Sequence, residues 1–205
     1  MKHLKRVIYP CLQVMDVARG YASRGYPISL IIIDYFSWAP GPLGDETLPS
    51  ECWPDPAGMV KELKAMGVEV MLSPYFHEVT EDSKYYATAA KKGFLALDAT
   101  RQPAKVAYSS GFLYDVFREE ARRYAWSAVE QGYIQPYNLH HWWLDCDEPC
   151  GDEQGISELL YNNGTWPASL VGAAFPHMVD RSVMTRAPRW YCTHAAPALH
   201  GLIWI

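Results

Sequence analysis

The sequence predicts an α/β protein built on a parallel sheet, and three observations predict it. Helical and extended patterns alternate along the 205 residues, the order expected of parallel strands joined by right-handed crossovers. The segment Ile28-Ser29-Leu30-Ile31-Ile32-Ile33 reads as a strand buried on both faces, as in a sheet covered by helices. Two predicted strands finish in an acid, Asp34 and Asp145, each followed by irregular chain.

The elements follow in order. Leu12, Met15, Val17, Ala18, Tyr21 and Ala22 recur at helical spacing, and Gly25 stops that helix before the strand ending at Asp34. Tyr35 to Asp45 is a loop rich in aromatics, Pro and Gly. Asp55 caps the next helix and Pro56 opens it; Gly67 ends it. A second strand covers Val68 to Pro74 and leads into Tyr75, Phe76 and His77. Helix is expected over Glu81 to Lys92, and a small hairpin from Gly93–Leu97 and Ala104–Tyr108. A long amphipathic helix from Asp115 to Gln131 then leads, through Gly132 and Pro136, into the strand ending at Asp145. Beyond Glu158 the pattern changes: Leu159 to Pro167 reads as loop, Ala168 to Arg186 as helix interrupted at Pro176. The tail from His194 has no clear period.

Composition narrows the function classes. About half the residues are hydrophobic (49%) and 20% are charged, the balance of a soluble globular domain. A net charge of -5 and scattered Lys and Arg give no nucleic-acid surface. No apolar stretch approaches the ~18–20 residues of a membrane span. Basic residues at the N-terminus lack a following apolar region, so no signal peptide is read and a cytoplasmic location is expected. The five cysteines, Cys11, Cys52, Cys146, Cys150 and Cys192, suggest no framework and are expected as reduced thiols. Asn163-Gly164-Thr165 matches a glycosylation sequon, a tripeptide that arises often by chance.

The chemistry concentrates in His140-His141-Trp142-Trp143-Leu144-Asp145-Cys146-Asp147-Glu148-Pro149. Alternation along a strand places His141, Trp143, Asp145 and Asp147 on one face. An acid that terminates an aromatic strand is satisfied, liganded or catalytic, because burying a lone carboxylate is costly. Structural roles such as a helix cap compete with catalysis here. A zinc site from Cys146, Cys150, His140 and His141 also competes, although a C-x3-C spacing alone is a weak signature.

Several segments, in order, resemble the catalytic barrel of glycoside hydrolase family 31, which includes α-glucosidases and α-xylosidases. They are Arg24-Gly25-Tyr26-Pro27 with Ile31 to Trp38, Trp53-Pro54-Asp55-Pro56 with Met59, Val60, Leu63, Met66 and Gly67, and Trp143 to Pro149, where an Asp is followed three residues later by Glu. The resemblance runs from about Val14 to Arg186. It implies part of a (β/α)8 TIM barrel, roughly its first half and incomplete, over residues 1–186, with a tail of no family resemblance over 187–205. It makes Asp145 the catalytic nucleophile and Glu148 a supporting acid. Asp34 would bind sugar hydroxyls, with Tyr35, Phe36 and Trp143 as apolar walls. The implied reaction is retaining hydrolysis of terminal α-linked glycosyl residues, with an oligosaccharide or α-glycoside substrate and neither metal nor cofactor. Bland readings stand beside these: Asp34 as a loop cap, Tyr35, Phe36, Trp38 and Trp143 as core aromatics, Asp147 as a loop or cap residue, His77, His140 and His141 as packing residues.

The family's acid/base Asp, on a later strand, has no counterpart, since Asp180 falls in a predicted helix. The chain is therefore expected to be a fragment without turnover of its own. Two other functions remain open: a non-catalytic carbohydrate-binding barrel fragment, and a metal-dependent hydrolase using His140, His141, Asp145 and Asp147.

Overall fold

The computed structural model of the protein describes residues 14–106, 109–145, 158–184 and 202–204. Helix α1 (Val14–Ser23) buries Val14 and Ala18. Strand β1 (Leu30–Ile33) is buried at every position, as its unbroken apolar run requires. Helix α2 (Pro56–Ala65) is capped by Asp55, whose Oδ1 accepts the Gly58 N–H at 2.8 Å, and has Pro at its start. It buries Met59 and Leu63 and returns the chain to β2 (Glu69–Leu72), which pairs in parallel with β1.

Strand β3 (Glu78–Val79) pairs antiparallel with β4 (Phe112–Leu113), on either side of the short helix α3 (Tyr86–Lys91). The expected helix from Glu81 is thus confined to its second half. Its first residues turn instead, with the Ser83 hydroxyl and the Lys84 N–H donating to Asp45. Among the described residues, the hairpin expected from Gly93–Leu97 and Ala104–Tyr108 is seen as a bridge from Leu97 to Pro103 and an Ala104 N–H donated to Ala96 O.

Helix α4 (Glu119–Val129) is shorter than expected at its start. Asp115 stays outside it, because its two carboxylate oxygens accept the backbone N–H groups of Asn162 and Asn163. At its end the chain continues as one wide π turn over Glu130–Ile134 and a short helix α5 (Gln135–Tyr137), so Gly132 and Pro136 do not stop it. Strand β5 (His141–Trp142) pairs with β2. It is shorter than the predicted strand to Asp145, though the Trp143 N–H still donates to Leu72 O at 2.8 Å. Alternation persists to that point. Trp142 packs outward into the main core, while Trp143 packs inward on Leu30, Ile32 and Met71.

The expected loop over Leu159–Pro167 is a hairpin, β6 (Leu160–Tyr161) against β7 (Trp166–Pro167). Its turn uses Asn162 and Asn163 at positive φ, a conformation Asn tolerates better than most residues. Helix α6 (Ala168–Val171) and helix α7 (Phe175–Met184) follow, joined by a tight turn at 172–174 that precedes Pro176. The tail is not featureless: β8 (Leu202–Trp204) pairs in parallel with β1.

Among the described residues four parallel strands thus form an open sheet in the order β5-β2-β1-β8. One continuous core runs from Val14 to Val183 and includes Leu63, Phe76, Trp126, Tyr133 and Phe175. Because the strands are parallel, their carboxyl ends lie on one rim, where β/α proteins carry their functional groups. Among the described residues no helix is long and apolar enough to cross a membrane. The expectation of reduced thiols is corrected at Cys52, which is disulfide-bonded.

Candidate active site

Three strands deliver the rim. Asp34 follows β1, Ser73 and Tyr75 follow β2, and Trp143 and Asp145 follow β5. The Tyr75 hydroxyl donates to Asp145 Oδ2 at 2.9 Å. That bond fixes the direction of the carboxylate. Asp145 is half-buried, so it combines a fixed orientation with access from outside.

Asp34 faces the same space. Burial raises its pKa, and the charge of Asp145 raises it further, while Ser73 and the Tyr35 backbone pull it back down. Its Oδ1 atom is buried without a hydrogen-bond partner of normal geometry. Two acids near enough to feel each other's charge create a negative field, which favours hydroxyl donors and developing positive charge.

The walls are aromatic. Tyr35 and Phe36 both take the left-handed conformation, with φ of 49° and 47°. Two adjacent non-glycine residues there store strain of roughly 1–3 kcal/mol each, the kind found at functional sites. The result is an angled cluster: Tyr35 meets Phe36 at 3.9 Å between ring centroids, Tyr75 at 4.6 Å and Trp38 at 5.2 Å. Phe36 is 55% exposed, an apolar surface offered to solvent beside two carboxylates. Trp38 is buried and supports the others from behind. Trp143 rests on the sheet through Leu30, Ile32 and Met71.

The structure therefore places Asp34, Tyr35, Phe36, Trp143 and Asp145 just past the carboxyl ends of parallel strands of one sheet. Glu148, Asp147, Cys146 and Cys150 lie outside the described residues. Among the described residues no group of three or more His, Cys, Asp or Glu side chains is arranged to hold a metal ion. His140 bonds Asn138 through Nε2, and His141 lies 3.7 Å from Glu69. His77 is buried among the rings of Tyr75, Phe76 and Phe175.

Tyr75 is a site residue that no motif in the sequence marks. Its position just past the end of β2 is the signal that points to it. Behind it lies Glu46, buried, whose Oε1 accepts the Tyr75 N–H at 3.0 Å and whose Oε2 meets the Tyr133 hydroxyl at 3.0 Å. No local pattern signals that acid.

Comparison with known proteins follows the same outline. The family model of the glycosyl hydrolases family 31 TIM-barrel domain matches residues 2–191. An uncharacterized family 31 glucosidase of Pseudescherichia vulneris is 30% identical over 165 residues, covering 80% of this chain and 30% of that protein. α-Xylosidase A of Aspergillus niger is 27% identical over 154 residues, covering 74% of this chain and 20% of that protein. A family 31 α-xylosidase from a soil metagenome, solved with xylose, superposes with a TM-score of 0.75 at 28% identity over 95% of this chain and 28% of its own. The chain thus spans less than a third of the length of these relatives. On the strength of the matched domain and the parallel, acid-rimmed sheet, this chain belongs to glycosyl hydrolase family 31 and carries part of that family's TIM-barrel domain.

Proposed function

We propose that this chain is the nucleophile-bearing part of a retaining α-glycoside hydrolase that acts on terminal α-linked sugars, of α-xylosidase or α-glucosidase type. The observation that carries the reading is the Asp145 carboxylate, held at 2.9 Å by Tyr75 on the carboxyl rim of a parallel sheet. In the first step Asp145 attacks the anomeric carbon and forms a glycosyl ester as the bond to the leaving oxygen breaks. That oxygen takes a proton from a second carboxyl group. Water, deprotonated by that group, then attacks the same carbon and returns Asp145 to its free form. The developing oxocarbenium charge is met by the carboxylates of Asp145 and Asp34. Asp34 accepts from sugar hydroxyls, while Phe36, Tyr35 and Trp143 cover the apolar ring faces. Glu148 supports the nucleophile, and the second carboxyl is supplied from outside the described residues.

The relatives include a glucosidase at 30% identity and α-xylosidases at 27% and 28%, so both sugars enter the test. The test is exposure to a ring-fluorinated α-xylosyl fluoride, and to its glucosyl counterpart, followed by peptide mapping. A glycosyl ester on Asp145, absent from Asp145→Asn, supports the reading. Sugar binding without any ester identifies the chain as a carbohydrate-binding barrel fragment instead.

A further inference from the structure

Tyr75 is placed from behind by groups far apart in sequence. Its N–H donates to Glu46 Oε1 at 3.0 Å. Glu46 Oε2 meets the Tyr133 hydroxyl at 3.0 Å, and Tyr133 meets Ser37 Oγ at 2.7 Å. All four residues are buried. The chain of contacts ties the loop after β1, which carries Ser37 and Glu46, to the loop after β2 and to the π turn after α4. Trp53 closes the arrangement by donating its indole N–H to Ser37 O at 2.8 Å. Gly132 makes it fit: a Cβ there would lie 1.5 Å from the Glu46 carbonyl oxygen. An acid inside an apolar core is costly unless every oxygen is engaged, and here both are.

We propose that Glu46 is a positioning residue: by holding the Tyr75 backbone and the Tyr133–Ser37 hydroxyl chain, it fixes the Tyr75 hydroxyl against Asp145. The inference rests on the proposed role of Asp145 only for its consequence in catalysis. Either protonation state of Glu46 is accommodated. Ionised, it accepts from Tyr133, which accepts from Ser37. Protonated, Oε2 donates to Tyr133, which donates to Ser37. Burial pushes the carboxyl up to about 8, the bonds from Tyr133 and the Tyr75 N–H lower it, and the charge of Asp45 raises it. The other titratable groups that feel it are Tyr85, Tyr114 and Tyr133. The hydroxyl chain therefore reverses direction near that pH, and the reversal reaches Tyr75 through the shared carboxylate.

Fluorine NMR of the full chain labelled with fluorotyrosine reads this directly. Tyr75→Phe and Tyr133→Phe assign the two signals. Both signals are expected to step with a midpoint near 8, and Glu46→Gln is expected to abolish the step while leaving Tyr75 in place. Asp145→Asn is expected to move the Tyr75 signal in the wild-type and Glu46→Gln chains, and to leave it unmoved in Glu46→Ala. Tyr133→Phe, which removes a donor to the ionised carboxyl, is expected to move the Tyr75 step to higher pH; this variant decides the matter if Glu46→Ala does not fold. Retained Asp145 coupling in Glu46→Ala, or a Tyr75 step unaffected by both Glu46→Gln and Tyr133→Phe, overturns the proposal. Trapping by the α-xylosyl fluoride is expected to slow about tenfold in Glu46→Ala and to hold within about twofold in Glu46→Gln. Failure to trap Asp145 in the wild-type chain overturns the hydrolase reading, whereas the positioning role of Glu46 stands or falls on the NMR signals alone.

Discussion

Replacing Glu46 by Gln is expected to change how the stability of this chain depends on pH. Glu46 is 1% exposed, and burial pushes its pKa from 4.5 up to about 8. Between those values the folded chain keeps a proton that the unfolded chain has released. The stability conferred by that proton is fully present below about pH 4.5 and is lost as pH rises toward about 8. At 1.36 kcal/mol per unit, the loss is on the order of 4 kcal/mol. Glu78 acts in the same direction, since burial raises it from 4.5 to about 7. Gln has the shape and donor pattern of a protonated Glu: its oxygen accepts from the Tyr75 N–H and its amide donates to Tyr133. Urea unfolding at about pH 5 and about pH 8.5 is the assay. With a slope of roughly 2 kcal/mol/M, the wild-type midpoint is expected to fall by about 2 M more than that of the variant. Equal pH slopes in the two proteins refute the reasoning, and so does a Gln variant that is markedly less stable at about pH 5.

Other substitutions test other joints. Gly132→Ala forces a Cβ into the Glu46 carbonyl, and thermal unfolding is expected to show a loss of about 2–3 kcal/mol, at the upper end for overpacking. Leu63→Ala empties a site in the core that is 0% exposed; denaturant titration is expected to register a loss of about 2–5 kcal/mol. Asp55→Ala removes the cap of α2, and the same titration is expected to show about 1 kcal/mol. Tyr75→Phe removes one donor to Asp145 and is expected to slow trapping by the fluorinated glycosyl fluoride about tenfold with little change in melting temperature.

The parts of the fold legible in the sequence are those whose burial shows in a local pattern, periodic in the helices and an unbroken apolar run in β1. Helices α1 and α2 and strands β1 and β2 show their buried faces within one short window, and the Asp55-Pro56 cap marks its own helix start. The misread parts depend on distant partners. Asp115 looks like the first residue of a helix, yet it holds the turn at Asn162 and Asn163, 47 and 48 residues away. That contact makes a hairpin of a segment with no strand signal. The tail strand β8 takes its conformation from pairing with β1, which a local pattern cannot carry. The site divides in the same way. Asp34 and Asp145 announce themselves as acids that end apolar strands, and parallel pairing places them on one rim. Glu46 and Tyr133, 87 residues apart, meet only when α4 packs against the sheet.

The most direct measurement is peptide mapping of the full chain after incubation with the ring-fluorinated α-xylosyl fluoride. A glycosyl adduct on Asp145, lost in Asp145→Asn and slowed in Tyr75→Phe, is the predicted result. A folded chain that acquires no adduct on Asp145 from either the xylosyl or the glucosyl reagent contradicts the assignment of Asp145 as nucleophile.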